Sequence, residues 1–144
     1  MSRAQLERFC RRVAECVHAN HGKVVVNADP DWLGGWPIDG VHLNAYRLAQ
    51  LKQRPEFAWV GASTHGPAEL QLAVDLGLDY ALLGPVEPTQ SHPACPVLGW
   101  DEFARLVEHL PIPVYALGGL HADRLDHARQ HGAHGVALMR AAWS

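Results

Sequence analysis

Two successive glycines, Gly118 and Gly119, close the apolar run Val114-Tyr115-Ala116-Leu117. Paired glycines after a buried strand let the backbone approach an anion closely, because no Cβ stands in the way. A later run, Gly135-Val136-Ala137-Leu138, leads to Arg140, whose guanidinium suits bidentate contact with phosphate oxygens. The plainer alternative for the glycines is a tight strand-to-helix turn. Upstream, the long loop from Gly84 to Pro96 carries four prolines that stiffen it. It also carries Thr89, Ser91 and His92, whose hydroxyls and imidazole suit anion binding or proton transfer. An active-site lid is the reading this composition favours over a surface cover.

His42 and His65 stand at the ends of two further apolar runs, facing the mouth of a pocket or else satisfied by neighbouring carbonyls. His121, His127, His131 and His134 crowd the last helical stretch, with His127 and His131 one turn apart. No acidic or cysteine partner is fixed beside them, so solvated helix residues are expected and no metal site is assigned. Trp32 and Trp36 flank Gly34-Gly35, where they either plug a shortened connection or stack on a flat ring.

The elements that must hold these residues follow from periodicity. Leu6, Phe9, Val13, Cys16 and Val17 recur at helical spacing and predict an amphipathic helix over 4–20, with Gly22 as its left-handed cap. Short β-branched runs predict strands at 24–27, 40–43, 58–62, 80–84, 112–118 and 135–139. Helices are predicted near 45–53, 67–76, 101–110 and 122–131, the third capped by Asp101. Three strand entries are near-repeats: Pro37 to Leu43, Gly77 to Leu83 and Gly132 to Leu138. Repeated βα units with strands lacking polar alternation imply an α/β fold with a parallel sheet covered by helices. Six strands fall two short of a (β/α)8 barrel, and the G-x-G-x-x-G of a doubly wound sheet is absent. The expectation is a single TIM-barrel-like domain, 1–144, incomplete at its N-terminal end. Its first two βα units would lie upstream in a longer protein or come from a second copy.

Composition narrows the classes. The chain has 144 residues, 48% hydrophobic and 19% charged, with a net charge of −3, so no basic field draws in nucleic acid. No apolar stretch approaches a membrane span, and the N-terminus lacks a signal peptide's apolar core, so a cytoplasmic protein without nucleic-acid or membrane partners is expected. Three cysteines without a Cys-x-x-Cys pair give neither a disulfide framework nor a zinc knuckle.

Gly61-Ala62-Ser63-Thr64-His65, Gly84 to Thr89, Pro113 to Gly119 and Gly135-Val136-Ala137 appear in an order that resembles the thiamine-phosphate synthase/TenI family. The resemblance runs from about residue 23 to the C-terminus. It implies a barrel enzyme of thiamine biosynthesis that joins an aminopyrimidine diphosphate to a thiazole phosphate, or aromatises the thiazole. The pattern is closest to the C-terminal half of fusions with a Nudix (MutT-type) hydrolase, through Pro88-Thr89-x-Ser91-His92-Pro93 and Leu98-Gly99-Trp100-x-x-Phe103. The partners so implied are a small phosphorylated ligand and either a second copy or a covalent Nudix domain.

Residue by residue, the resemblance makes Ser63 a diphosphate contact and Gly118 and Gly119 the phosphate-binding glycines. Thr89 and Ser91 fall on lid hydroxyls, His92 stands in place of a lysine, and Arg140 replaces a serine. Ser63 and His92 are the catalytic candidates, and Asn27 joins His42 and His65 in the substrate pocket. The family's Mg²⁺-binding aspartates fall on Ala28 and near Arg47, and the tautomerase branch's histidine falls on Pro85. These departures imply degenerate catalysis of diphosphate departure. The alternative is a non-catalytic module that binds a phosphorylated ligand beside a Nudix domain.

Overall fold

The computed structural model describes residues 1–89 and 96–142; Ser91 and His92 lie outside the described residues. Helix α1 (Arg3–His18) opens on a capping box, Ser2 accepting the Gln5 N–H while the Gln5 side chain accepts the Ser2 N–H. Its buried stripe is Cys10 and Ala14, flanked by Leu6, Val13 and Val17. Phe9 (59% exposed) and Cys16 lie off that stripe, contrary to the periodicity reading. Burial of Cys10 and Ala14 in the first apolar cluster sets the inward stripe, and Phe9 falls on the outward side of it. The left-handed residue after α1 is His21 (φ 58°) and not Gly22. Gly22 is needed for space, since a Cβ there would meet Val17 Cγ1 at 2.6 Å.

The strands are β1 (Val25–Asn27), β2 (Gly40–Leu43), β3 (Trp59–Thr64), β4 (Tyr80–Leu83), β5 (Val114–Leu117) and β6 (Gly135–Ala137). They form one parallel sheet in chain order, curled as an open half-barrel with β1 and β6 at its edges. Parallel strands in sequence order are the arrangement of a barrel rather than of a doubly wound sheet, whose strand order reverses. After β2, β3, β4 and β5 come α2 (Ala45–Leu48), α3 (Pro67–Asp75), α4 (Trp100–Val107) and α5 (Leu125–Gln130). Helix α2 is shorter than predicted, and the predicted 122–131 helix begins as a 3₁₀ turn, Ala122–Arg124. Gly99 occupies the cap of α4, so Asp101 is a first-turn acid favoured by the helix dipole and not the cap.

The period of two splits each strand between two faces. Val41 and Leu43, Val60 and Ala62, Ala81 and Leu83, and Val114 and Ala116 are buried against the helices in two adjoining apolar clusters. Leu33 and Trp36 complete the first cluster, so Trp36 plugs the short 29–37 connection, while Trp32 stays 42% exposed. The alternate residues, His42, Trp59, Gly61, Ser63, Tyr80, Leu82 and Tyr115, line the concave face. Among the described residues no helix is long and apolar enough to cross a membrane.

The near-repeats have a physical basis. The N–H groups of Asp39, Asp79 and His134 each donate at 2.8 Å to a carbonyl of the preceding strand's entry, Val24, Val60 and Val114 respectively. Asp39 and Asp79 also return a carboxylate to the N–H of that same residue, at 2.7 Å and 2.6 Å. Each aspartate thus clamps two neighbouring strands in register. At the third site His134 instead sets its ring edge-on to Tyr115, 5.3 Å between centroids.

Candidate functional site

Parallel strands gather their carboxyl ends on one rim, where barrel sites are built. Just below that rim, His42 Nε2 lies 2.8 Å from Ser63 Oγ and His42 Nδ1 lies 3.1 Å from the Tyr80 hydroxyl. His42 is 9% exposed, and burial pushes its pKa down to about 4. The ring is therefore neutral near pH 7, with one N–H to donate and one nitrogen to accept. Burial, followed by the nearby Tyr115 and Asp79, pushes the Tyr80 phenol up to about 12, so it keeps its proton. A neutral ring between two hydroxyls satisfies all three groups and fixes the Ser63 rotamer.

Tyr80 is stacked on His42 (5.8 Å, 23°) and meets Tyr115 edge-on (6.1 Å, 89°). The Tyr80 ring lies over Gly61, its register partner, and a Cβ on Gly61 would overlap it. Tyr80, Tyr115 and Gly61 escaped the sequence reading as site-forming residues. Their shared parity with His42 and Ser63 on paired strands was the available signal, but using it requires knowing the register. Asn27 is exposed at the end of β1, in register with His42. His65 takes the carbonyl-satisfied alternative: its Nδ1 lies 2.6 Å from the Gly84 carbonyl oxygen, and its N–H donates to the Glu69 carboxylate. It ties the end of β3 to the end of β4, leaving only Nε2 for a ligand.

Gly118 and Gly119 run at φ 99° and 72°, a region that glycine enters without strain. A Cβ on Gly118 would lie 2.6 Å from Pro85 Cβ, and one on Gly119 2.6 Å from the Pro88 carbonyl oxygen. The loop after β4 is laid on this turn, with the Val86 and Glu87 N–H groups donating to the Leu117 and Gly118 carbonyls at 2.9 and 3.1 Å. Close packing of two loops thus accounts for both glycines before any ligand is considered. Glu87 accepts from Trp100 Nε1 at 3.0 Å and lies 3.5 Å from Arg124 Nε, which offsets a carboxylate beside the turn. Thr89 follows, half-buried, and Arg140 opens the exposed 3₁₀ turn Arg140–Ala142 after β6.

His127 and His131 are not simply solvated. Their rings pack 4.4 Å apart and against Trp100, at 4.9 and 5.3 Å, so α5 rests on α4 through an aromatic contact. The residues that the resemblance sets at the family's Mg²⁺ positions do not fit the ion. Ala28 is a buried side chain without a donor, Arg47 is a cation, and Asp29 Oδ1 accepts the Asp31 N–H at 3.1 Å. Among the described residues no three His, Cys, Asp or Glu side chains come together as ligands.

Residues 1–142 match the thiamine monophosphate synthase family. The thiamine-phosphate synthase of Thermus thermophilus is 36% identical over 118 residues, covering 81% of this chain and 57% of that protein. That of Lysinibacillus sphaericus is 31% identical over 141 residues, 94% of this chain and 65% of that protein. The chain therefore spans less than two thirds of the length of these relatives. A solved thiamine phosphate pyrophosphorylase from Pyrococcus furiosus superposes with a TM-score of 0.77 at 22% identity, over 96% of this chain and 67% of that one. At that identity the likeness is one of fold.

Proposed function

The chain belongs to the thiamine monophosphate synthase family, and on that footing we propose a thiamine-phosphate synthase-like function at the carboxyl rim of its sheet. The reaction forms a bond from the thiazole nitrogen to the pyrimidine's methylene carbon and breaks that carbon's bond to diphosphate. The observation that carries the reading is the Ser63–His42–Tyr80 chain of hydrogen bonds. It holds a serine hydroxyl in one orientation on a strand next to the rim, as a positioned contact for an anionic oxygen requires. Gly118, Gly119, Thr89, Ser91 and Arg140 make up the remaining phosphate-binding set, with Asn27 at the pyrimidine side.

The family's Mg²⁺ supplies charge neutralisation on a departing diphosphate, but the side chains present do not form its site, and no step is routed through it. Losing one preorganised charge-stabilising group typically costs about 10²–10³ in rate. The thiazole-phosphate half of the site is the better equipped. Thiazole phosphate should therefore bind by calorimetry, and Arg140→Ala should weaken it about tenfold or more, since a charge-assisted contact is worth about 1.5–3 kcal/mol. Synthesis of thiamine phosphate by the isolated chain should be slow. Unchanged affinity in Arg140→Ala removes Arg140 from the site; fast Mg²⁺-dependent synthesis abolished by Ser63→Ala overturns the degenerate-catalysis reading. Leu98-Gly99-Trp100 and Phe103 make a covalently attached Nudix domain the first partner to look for, and the coding sequence adjoining this chain tests that.

A further inference from the structure

The near-repeat turns before β2, β4 and β6 share a backbone geometry and differ in one side chain. At the first two, an aspartate carboxylate accepts an N–H from the neighbouring strand's entry: Asp39 takes that of Val24 and Asp79 that of Val60. Each carboxylate also meets a cation, Lys23 Nζ at 3.1 Å and Arg54 Nη2 at 2.6 Å respectively. At the third turn His134 stands at the aspartate's position. Its N–H still donates to the Val114 carbonyl, as those of Asp39 and Asp79 do to Val24 and Val60. In a strand the N–H and C=O of one residue face the same neighbour. The Val114 N–H therefore points toward the His134 turn, just below the first rung of the β5–β6 ladder. Among the described residues no side chain accepts it, and the His134 ring is turned onto Tyr115.

This start of β5 adjoins a cavity of about 440 Å³, at the amino ends of the strands and so opposite the candidate site. Val107, Leu110 and Ile112 contribute its apolar wall, and Val114, Arg129 and His134 line it as well. Among the described residues no aspartate or glutamate lines it, and the Arg129 guanidinium makes neither a hydrogen bond nor an ion pair. The third turn thus keeps the strand-entry N–H and a nearby cation, as at the first two, without the carboxylate that joins them there. A buried backbone donor calls for an acceptor, and a guanidinium matches the planar fork of a carboxylate.

We propose that this cavity is a binding site for a small organic monocarboxylate. The ligand's carboxylate accepts from the Val114 N–H and pairs with Arg129, taking the place that Asp39 and Asp79 fill at the other two turns. Its aliphatic body lies against Val107, Leu110 and Ile112, contacts that an inorganic anion cannot make. Binding ties the entry of β6 to that of β5, where the chain carries no carboxylate clamp of its own. This inference stands on the near-repeats and the cavity and is independent of the proposed chemistry at the carboxyl rim.

The test titrates the chain with hexanoate by calorimetry, with hexanamide and inorganic phosphate as parallel arms. Hexanoate should bind one to one and at least tenfold more tightly than either control. It should also move the Val114 amide proton downfield in NMR spectra and raise the melting temperature. Arg129→Ala, at an exposed position, should weaken hexanoate at least tenfold. His134→Asp supplies the carboxylate from within the chain, so it should raise the melting temperature by itself and abolish hexanoate binding. Should His134→Asp fail to fold, Arg129→Ala and the Val114 shift still decide the matter. Absence of hexanoate binding overturns the proposal. So does equal binding of hexanamide or phosphate, a Val114 amide that does not respond, or unchanged affinity in either folded variant. Thiamine phosphate synthesis is not read, so failure here leaves the proposed function untouched.

Discussion

His42 shows how a single side chain couples packing to pH. Its folded pKa of about 4 lies below the ordinary 6.5 because burial disfavours the cation. Between those values the unfolded chain binds a proton that the folded chain excludes, so stability falls as pH drops from 6.5 toward 4. Chemical denaturation across that range should show this slope, and His42→Asn should flatten it. The same neighbourhood sets the cost of Gly61. A methyl there overlaps the Tyr80 ring, which must swing off the sheet and release its bond to His42. Gly61→Ala should therefore destabilise by about 1–3 kcal/mol, as overpacking typically does. The double variant with Tyr80→Ala should recover part of that loss in thermal unfolding.

At the scale of the elements, the aspartate clamps before β2 and β4 decide how neighbouring strands start together. Asp79 accepts from the Val60 N–H and from Arg54, each at 2.6 Å. Asp79→Ala strands a backbone donor at the start of a central strand, and a loss of about 1–3 kcal/mol is expected in denaturant titration. Asp39 is held well below the ordinary carboxylate range by the Val24 N–H first and His18 next. A carboxylate with a depressed folded pKa contributes stability that is present above 3.8, its ordinary value, and lost as pH falls below it. Acid unfolding of Asp39→Ala should begin from a lower plateau and lose less stability below that pH than the parent chain.

At the scale of the whole molecule, an open half-barrel distributes stability unevenly. β3 and β4 are paired on both sides, whereas β1 and β6 are three-residue edges with one neighbour each. Native-state hydrogen exchange of the chain alone should be slowest in residues 60–64 and 80–83 and fastest at the two edges. Uniform protection across all six strands would mean that the edges are covered. Among the described residues the concave side stays open, with Tyr80 and Tyr115 packed over Gly61 and Gly135 and meeting each other edge-on.

The sequence alone determined the strand count, the parallel α/β class and the family, because short β-branched runs between amphipathic stretches and four ordered motifs are local patterns. It also flagged the near-repeats at Asp39, Asp79 and His134, although their meaning as strand clamps appears only when neighbouring strands are paired. Local spacing misjudged Phe9, Gly22 and Asp101, since which side of a helix is buried and where its cap falls depend on what the chain packs against. The glycines at 118 and 119 were legible as special, but the reason on view is the loop at Pro85 to Pro88 resting on them. Tertiary structure alone decided the Ser63–His42–Tyr80 chain. Three residues from three strands meet only through the sheet register, and the burial that keeps His42 neutral belongs to the assembled half-barrel and to no segment of the chain.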